Sequence, residues 1–264
     1  MNKTSVITII LAIIGALAWL PHILRWIYAW LIKPKLRFVP ESKTEIGYNV
    51  LGPIFNQNFA IVTEFKNALI ERILLTLTHE SGEKHEFIWK SLHEKGFEVT
   101  DISGVRAEYS KLQPAIALKV WVIGLVEKKI LFRDYSYEKD SYNLLYKLIE
   151  KQNHIKKVDE PNYKGQLLKS KELSDFLDFV KKSFYWKQGK YTIILYASEK
   201  SLKKPHVENF EFTLTKSDSE RLERNIEFIQ QEIKNQIEYE GIPYEKWPTK
   251  PNFNWINPNF QRKQ

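Results

Sequence analysis

Residues 73–89 read ILLTLTHESGEKHEFIW. Ile73, Leu75 and Leu77 alternate with Leu74, Thr76 and Thr78, a period of two that marks a strand with one buried face. Ser81-Gly82 supplies a turn, and His85-Glu86-Phe87-Ile88-Trp89 alternates again. The segment therefore predicts a β-hairpin. Phe59–Phe65, Ala115–Ile123, Ile130–Tyr135, Tyr191–Ala197 and Phe210–Leu214 have the same character. Several short strands separated by Gly, Asn and Ser turns predict a mainly-β sandwich.

Gly189-Lys190-Tyr191-Thr192-Ile193-Ile194-Leu195 resembles a late strand of an immunoglobulin-like sandwich, in which a Tyr follows a turn Gly. The resemblance implies a fold and no activity.

Helical periodicity interrupts the strands. Ser141–Lys151 places Leu144, Leu145 and Leu148 on one side, and Lys171–Phe184 aligns Leu173, Phe176, Leu177 and Val180 behind a Ser170 N-cap. Asp218–Tyr239 opens with Ser217 and Glu220 at capping-box spacing. It then repeats Leu222, Ile226, Ile229, Ile233 and Ile237, a stripe for the chain's own sheet or for a homo-oligomer through residues 218–239. The expected organisation is an anchor over 1–33, a sandwich over 34–216 with a helical insertion at about 138–187, an amphipathic helix over 217–240 and an extended tail over 241–264. The class is α+β. The tail sets Pro243, Pro248, Pro251 and Pro258 among aromatic residues, which excludes regular helix. Its Trp247, Phe253, Trp255 and Phe260 either fill the domain's own grooves or bind a partner.

The net charge of +8 is uneven: residues 1–40 carry Lys3, Arg25, Lys33, Lys35 and Arg37 and no acid. Thr4–Leu24 contains no formal charge and as a helix would measure about 31 Å, the thickness of a bilayer core. Trp19, Arg25, Trp26, Tyr28, Trp30, Lys33, Lys35 and Arg37 have the composition of a membrane interface. These features predict a single-pass protein of a bacterial inner membrane, with the N-terminus outside and the large domain cytoplasmic. The lipid bilayer is then one partner, and another protein, bound by an anchored interaction or scaffolding module, is the second. A self-assembling structural membrane protein is an alternative. So is a tethered sensor using the basic stretch 151–204, which holds 13 Lys against 6 acids, although nucleic acid is not favoured as its ligand.

Chemistry is sparse. The 264 residues include no Cys, which excludes disulfides, thiolate nucleophiles and cysteine-held metals. His79-Glu80, His85-Glu86 and His93-Glu94 lack the second His of a zinc-protease helix. Gly-rich phosphate loops and nucleophile elbows are missing. The expectation is a non-enzyme without metal or cofactor.

Overall fold

The computed structural model describes residues 3–100 and 106–263, and side chains other than those of 1–14, 16, 29 and 95–111. An N-terminal helix, α1 (Lys3–Leu31), runs into β1 (Lys35–Pro40), β2 (Glu45–Asn49), β3 (Gly52–Glu64), β4 (Ala68–His79), β5 (Lys84–Thr100), β6 (Arg106–Pro114), β7 (Leu118–Val120) and β8 (Val126–Asp134). Three helices follow: α2 (Tyr135–Val158), α3 (Tyr163–Leu168) and α4 (Lys171–Lys182). The chain returns as β9 (Gly189–Glu199) and β10 (His206–Leu214), then α5 (Lys216–Glu223), α6 (Asn225–Glu238) and a short β11 (Phe260–Arg262).

The strands form one antiparallel sheet in the order β1-β3-β8-β5-β4-β9-β10-β11. This eight-strand path curls into a nearly closed barrel, which corrects the sandwich expectation. Alternation had identified the buried faces, such as Ile73, Leu75 and Leu77 on β4 and Phe210, Phe212 and Leu214 on β10. A buried face is equally compatible with two stacked sheets and with one curled sheet. Here the inner faces converge on a single core in which Phe55 meets Phe132, Phe212 and Phe260, and Phe59 meets Phe38 and Phe210.

The hairpin at 73–89 pairs Leu77 with His85 and Thr78 with Lys84, around Gly82 at φ +90°. Glycine reaches that left-handed region without a Cβ clash. Ala115–Ile123 contributes only the three residues of β7, paired with Ala68–Ile70 of β4.

Closure depends on the tail. β11 pairs Phe260 with Phe212 of β10, and the preceding residues reach β2, with Ile256 bridging Ile46. The tail thus stitches β10 to the edge formed by β2. Gly47 on β2 lies under the Trp255 ring, where an added Cβ would stand 2.4 Å from a ring carbon. Gly47→Ala is therefore expected to cost about 1–3 kcal/mol by displacing Trp255, measured as a lower denaturant midpoint.

Helices cover one end of the barrel. Tyr48 Oη donates to Val180 O at 2.6 Å, Trp186 Nε1 donates to Gly47 O at 3.2 Å, and Ser219 Oγ donates to Trp186 O. The isoleucine stripe is buried against the chain itself, and the expected single helix over 218–239 is broken at Arg224 into α5 and α6. The capping box is Thr215 with Asp218, not Ser217 with Glu220. Starting the helix at Lys216 lets the Thr215 hydroxyl accept from Asp218 N while the Asp218 carboxylate accepts from Thr215 N.

The anchor expectation is also corrected. Among the described residues, no helix is long and apolar enough to cross a membrane. The side chains of 4–14, which begin the apolar run, lie outside the described residues. The described part, Leu17–Leu31, carries Pro21, His22 and Arg25 and the amphipathic rings of Trp19, Trp26, Tyr28 and Trp30, and these dilute its hydropathy. The single-pass topology, the inner-membrane placement and the anchored-scaffold and self-assembling membrane functions built on that span fall with it.

Candidate functional site

Strand direction assigns the turns that reverse the chain, among the described residues, to one of two ends. β1 starts opposite the end of β3, with Lys35 paired to Glu64. The 65–67 turn, the 115–125 loop and the 200–205 turn therefore lie at the end where α1 enters the barrel. The 80–83 turn, Asp134 and residues 183–188 lie at the opposite, helix-capped end.

The uncapped end exposes large apolar side chains. Phe65, Ile116, Trp121, Val122, Ile123 and Leu125 all face solvent, and Ile123 is 98% exposed. These tips are held in place. Val122 N donates to Asn67 Oδ1 at 2.9 Å, joining the long loop to the 65–67 turn, and Gly124 N closes a turn on Trp121 O at 3.0 Å. Phe65 has φ +69°. A bulky residue there costs about 1–2 kcal/mol relative to ordinary backbone, so an exposed aromatic at that position is a functional signal.

Cations rim the tips. The Lys119 ammonium lies 3.8 Å from the Trp121 ring centroid. Lys33, Lys200, Lys203 and Lys204 make no ion pair among the described residues. Glu199, though acidic and at this end, is buried and spends its carboxylate on Leu69 N, Ser201 N and Ser201 Oγ. It shapes the 200–205 turn rather than offsetting its lysines.

Of the sequence-derived interface residues, Trp19, Arg25, Trp26, Tyr28 and Trp30 are exposed along α1, while Lys33, Lys35 and Arg37 are exposed where α1 passes into β1. The tail aromatics are distributed inward: Phe260 is buried in the barrel, Trp255 covers Gly47, Phe253 meets Phe228, and Trp247 meets Tyr239 and Tyr244. The basic stretch 151–204 is not one patch. Lys156 pairs with Glu240 among the helices, whereas Lys200, Lys203 and Lys204 sit at the uncapped end. That division corrects the tethered-sensor reading, which needed those cations on a single face. The loop tips are hard to read from sequence because the run AIALKVWVI, Ala115–Ile123, has the composition of a strand whose apolar residues enter a core. Its weak alternation was the available signal.

The capped end gathers the densest titratable cluster. Asp134 is 3% exposed and accepts from Tyr185 Oη at 2.8 Å and from Tyr137 N at 2.9 Å, with His85 Nδ1 at 3.4 Å. His85 stacks on Tyr185 at 3.5 Å between ring centroids, and its Nε2 lies 3.3 Å from Glu83, which also binds Lys187 at 2.8 Å. Burial opposes ionisation of Asp134, yet the hydrogen bonds from His85, Tyr137 N and Tyr185 outweigh it and hold its carboxyl below the usual range. Burial and the adjacent Asp134 push the Tyr185 phenol well up. The other histidine here, His79, is spent on Ser81 Oγ at 2.8 Å and Gln188 O at 3.1 Å, not facing His85. These groups fasten the hairpin, β8, α2 and the 185–188 segment together. Among the described residues no group of three or more His, Asp and Glu is arranged to hold a metal.

No family model, curated protein or solved structure matches the chain.

Proposed function

We propose that the chain is a binding module, not an enzyme, and that its uncapped end rests on an anionic lipid surface through the 65–67, 115–125 and 200–205 loops. The carrying observation is the set of ordered, exposed apolar tips rimmed by lysines at a single end of the barrel. A patch of that kind is costly in water and marks an interaction site. Each apolar side chain taken out of water contributes about 1.5–3 kcal/mol. Each lysine at an anionic surface adds about 1 kcal/mol. Trp121, Ile123 and Phe65 with Lys119, Lys200, Lys203 and Lys204 therefore supply enough to offset the cost of association. The contact is peripheral and requires no spanning segment.

The absence of Cys makes a clean probe possible. Ile123→Cys in the full chain, labelled with an environment-sensitive fluorophore, is expected to blue-shift on vesicles containing phosphatidylserine, and less at high salt. Lys234→Cys on α6, at the capped end, is expected to remain in water. An Ile123 probe that stays aqueous while the protein sediments with the vesicles would overturn the reading.

A further inference from the structure

At the uncapped end the barrel wall is incomplete. The outer edges of β1 at Leu36–Phe38 and of β10 at His206–Asn209 face one another without a strand ladder, because β11 pairs β10 only over Phe210–Phe212. The Glu208 carboxylate bridges the gap. It accepts from Phe38 N at 2.9 Å, contacts His206 Nε2 at 2.9 Å and pairs with Arg262, whose guanidinium also donates to Phe38 O at 3.1 Å. Outside this bridge lies a groove of about 460 Å³ lined by Lys35, Arg37, Glu64, Glu208, Arg262 and Lys263 among others.

The charges in the groove do not balance. Glu64 is taken by Lys35 at 3.4 Å and Glu208 by Arg262 and His206. Arg37 and Lys263 form no ion pair among the described residues, although Lys263 also acts on Glu211 beyond contact distance, so the groove lining holds four cations against two acids. Lys35 and Arg37 alternate with buried Leu36 and Phe38, which puts both cations on the outer face of β1. Lys263 is held beside them because its backbone N–H donates to Asn209 O at 3.0 Å. The groove begins one residue from Phe65, at the level of the lipid-facing loops.

We infer that the seam groove between β1 and β10 is a subsite for a phosphomonoester, supplied by a lipid headgroup, with Arg37 and Lys263 as its principal contacts. A phosphomonoester carries close to two negative charges at neutral pH, matching the excess of two cations in the groove lining. A guanidinium offers two parallel donors to phosphate oxygens, and the ammonium adds a point charge. This inference rests on the lipid-docking reading, because the groove reaches a headgroup only if the loops meet the surface.

The test uses the full chain and two vesicle types matched in surface charge, one containing phosphatidic acid and the other phosphatidylserine. Wild type is expected to prefer phosphatidic acid. Arg37→Gln with Lys263→Gln is expected to remove that preference, a loss of about tenfold or more, while binding to phosphatidylserine and the Ile123 probe shift remain. Both substituted residues are exposed, so the melting temperature should not change. An equal loss on both vesicle types, or no loss on either, would overturn the subsite but leave lipid docking standing. Failure of the Ile123 probe to shift on any vesicle would remove docking itself. Soluble glycerol phosphate supplies the last arm. Binding as tight as to the phosphatidic acid vesicles would make a free phosphomonoester the ligand and overturn the lipid source.

Discussion

Phe260→Ala is expected to lower the unfolding free energy by about 3–5 kcal/mol, the largest loss from any one side chain of the tail. Phe260 is buried and touches Phe55, Phe59 and Phe210, with ring centroids at 5.7, 6.5 and 5.1 Å. Its truncation leaves a cavity where β11 completes the wall, and the surrounding rings belong to strands that cannot close around it independently. The backbone anchors at and before this position would be strained as well: Phe260 N donates to Ser42 O at 2.8 Å and Ile256 N to Ile46 O at 3.1 Å. Gln261, one residue on, is exposed, and its side chain bonds Glu211 at 3.0 Å, so Gln261→Ala should cost no more than about 0.5 kcal/mol. Denaturant unfolding of the two variants gives the comparison. A Phe260→Ala protein as stable as the Gln261→Ala protein would show that the tail is an appendage rather than a wall of the barrel.

Asp134→Asn is expected to cost about 2–4 kcal/mol at neutral pH. The substitution keeps the shape but discharges the acceptor on which His85, Tyr185 and the first turn of α2 converge. The pH dependence has a definite sign. The carboxyl of Asp134 lies below its ordinary value in the folded chain, so the unfolded state binds protons first as the solution is acidified. Its contribution is full above the ordinary carboxylate range, near 4, and is lost as pH falls through the folded value. Glu208 behaves alike: burial opposes its ionisation, but His206, Phe38 N and Arg262 prevail and lower its pKa. Wild type should therefore lose stability steeply below about pH 4, and the gap between it and Asp134→Asn should narrow there. Thermal melts at pH 7 and pH 3 measure both quantities. A gap that stays constant with pH would mean that the charge on Asp134 contributes nothing.

The hairpin at 73–89 was legible because alternation and a turn glycine are local properties of a dozen or so residues. The helix faces were legible for the same reason, and Ser170 does cap α4 through Leu173 N. The Asp134 cluster was not. It joins β5, β8 and the segment before β9, and no spacing in the chain relates His85 to Asp134 or Tyr185. The exposed tips were not legible either, because an apolar run carries no mark of whether it enters a core or leaves one. Ile123 and Ile193 look alike in sequence, yet one is almost fully exposed and the other fully buried.

Local chemistry thus settled which residues alternate, which segments coil into helices, where turns fall and which catalytic motifs are missing. Tertiary structure decided that the strands form one curled sheet instead of two stacked ones, because closure is a contact between distant parts of the chain. Arg262 reaches Phe38 O across 224 residues, and Ile256 reaches Ile46. Alternation along a strand specifies a buried face but carries no information about which other face will cover it. That choice was made by the tail closing one side of the barrel and by the helices covering one end, leaving the apolar loops at the other end uncovered.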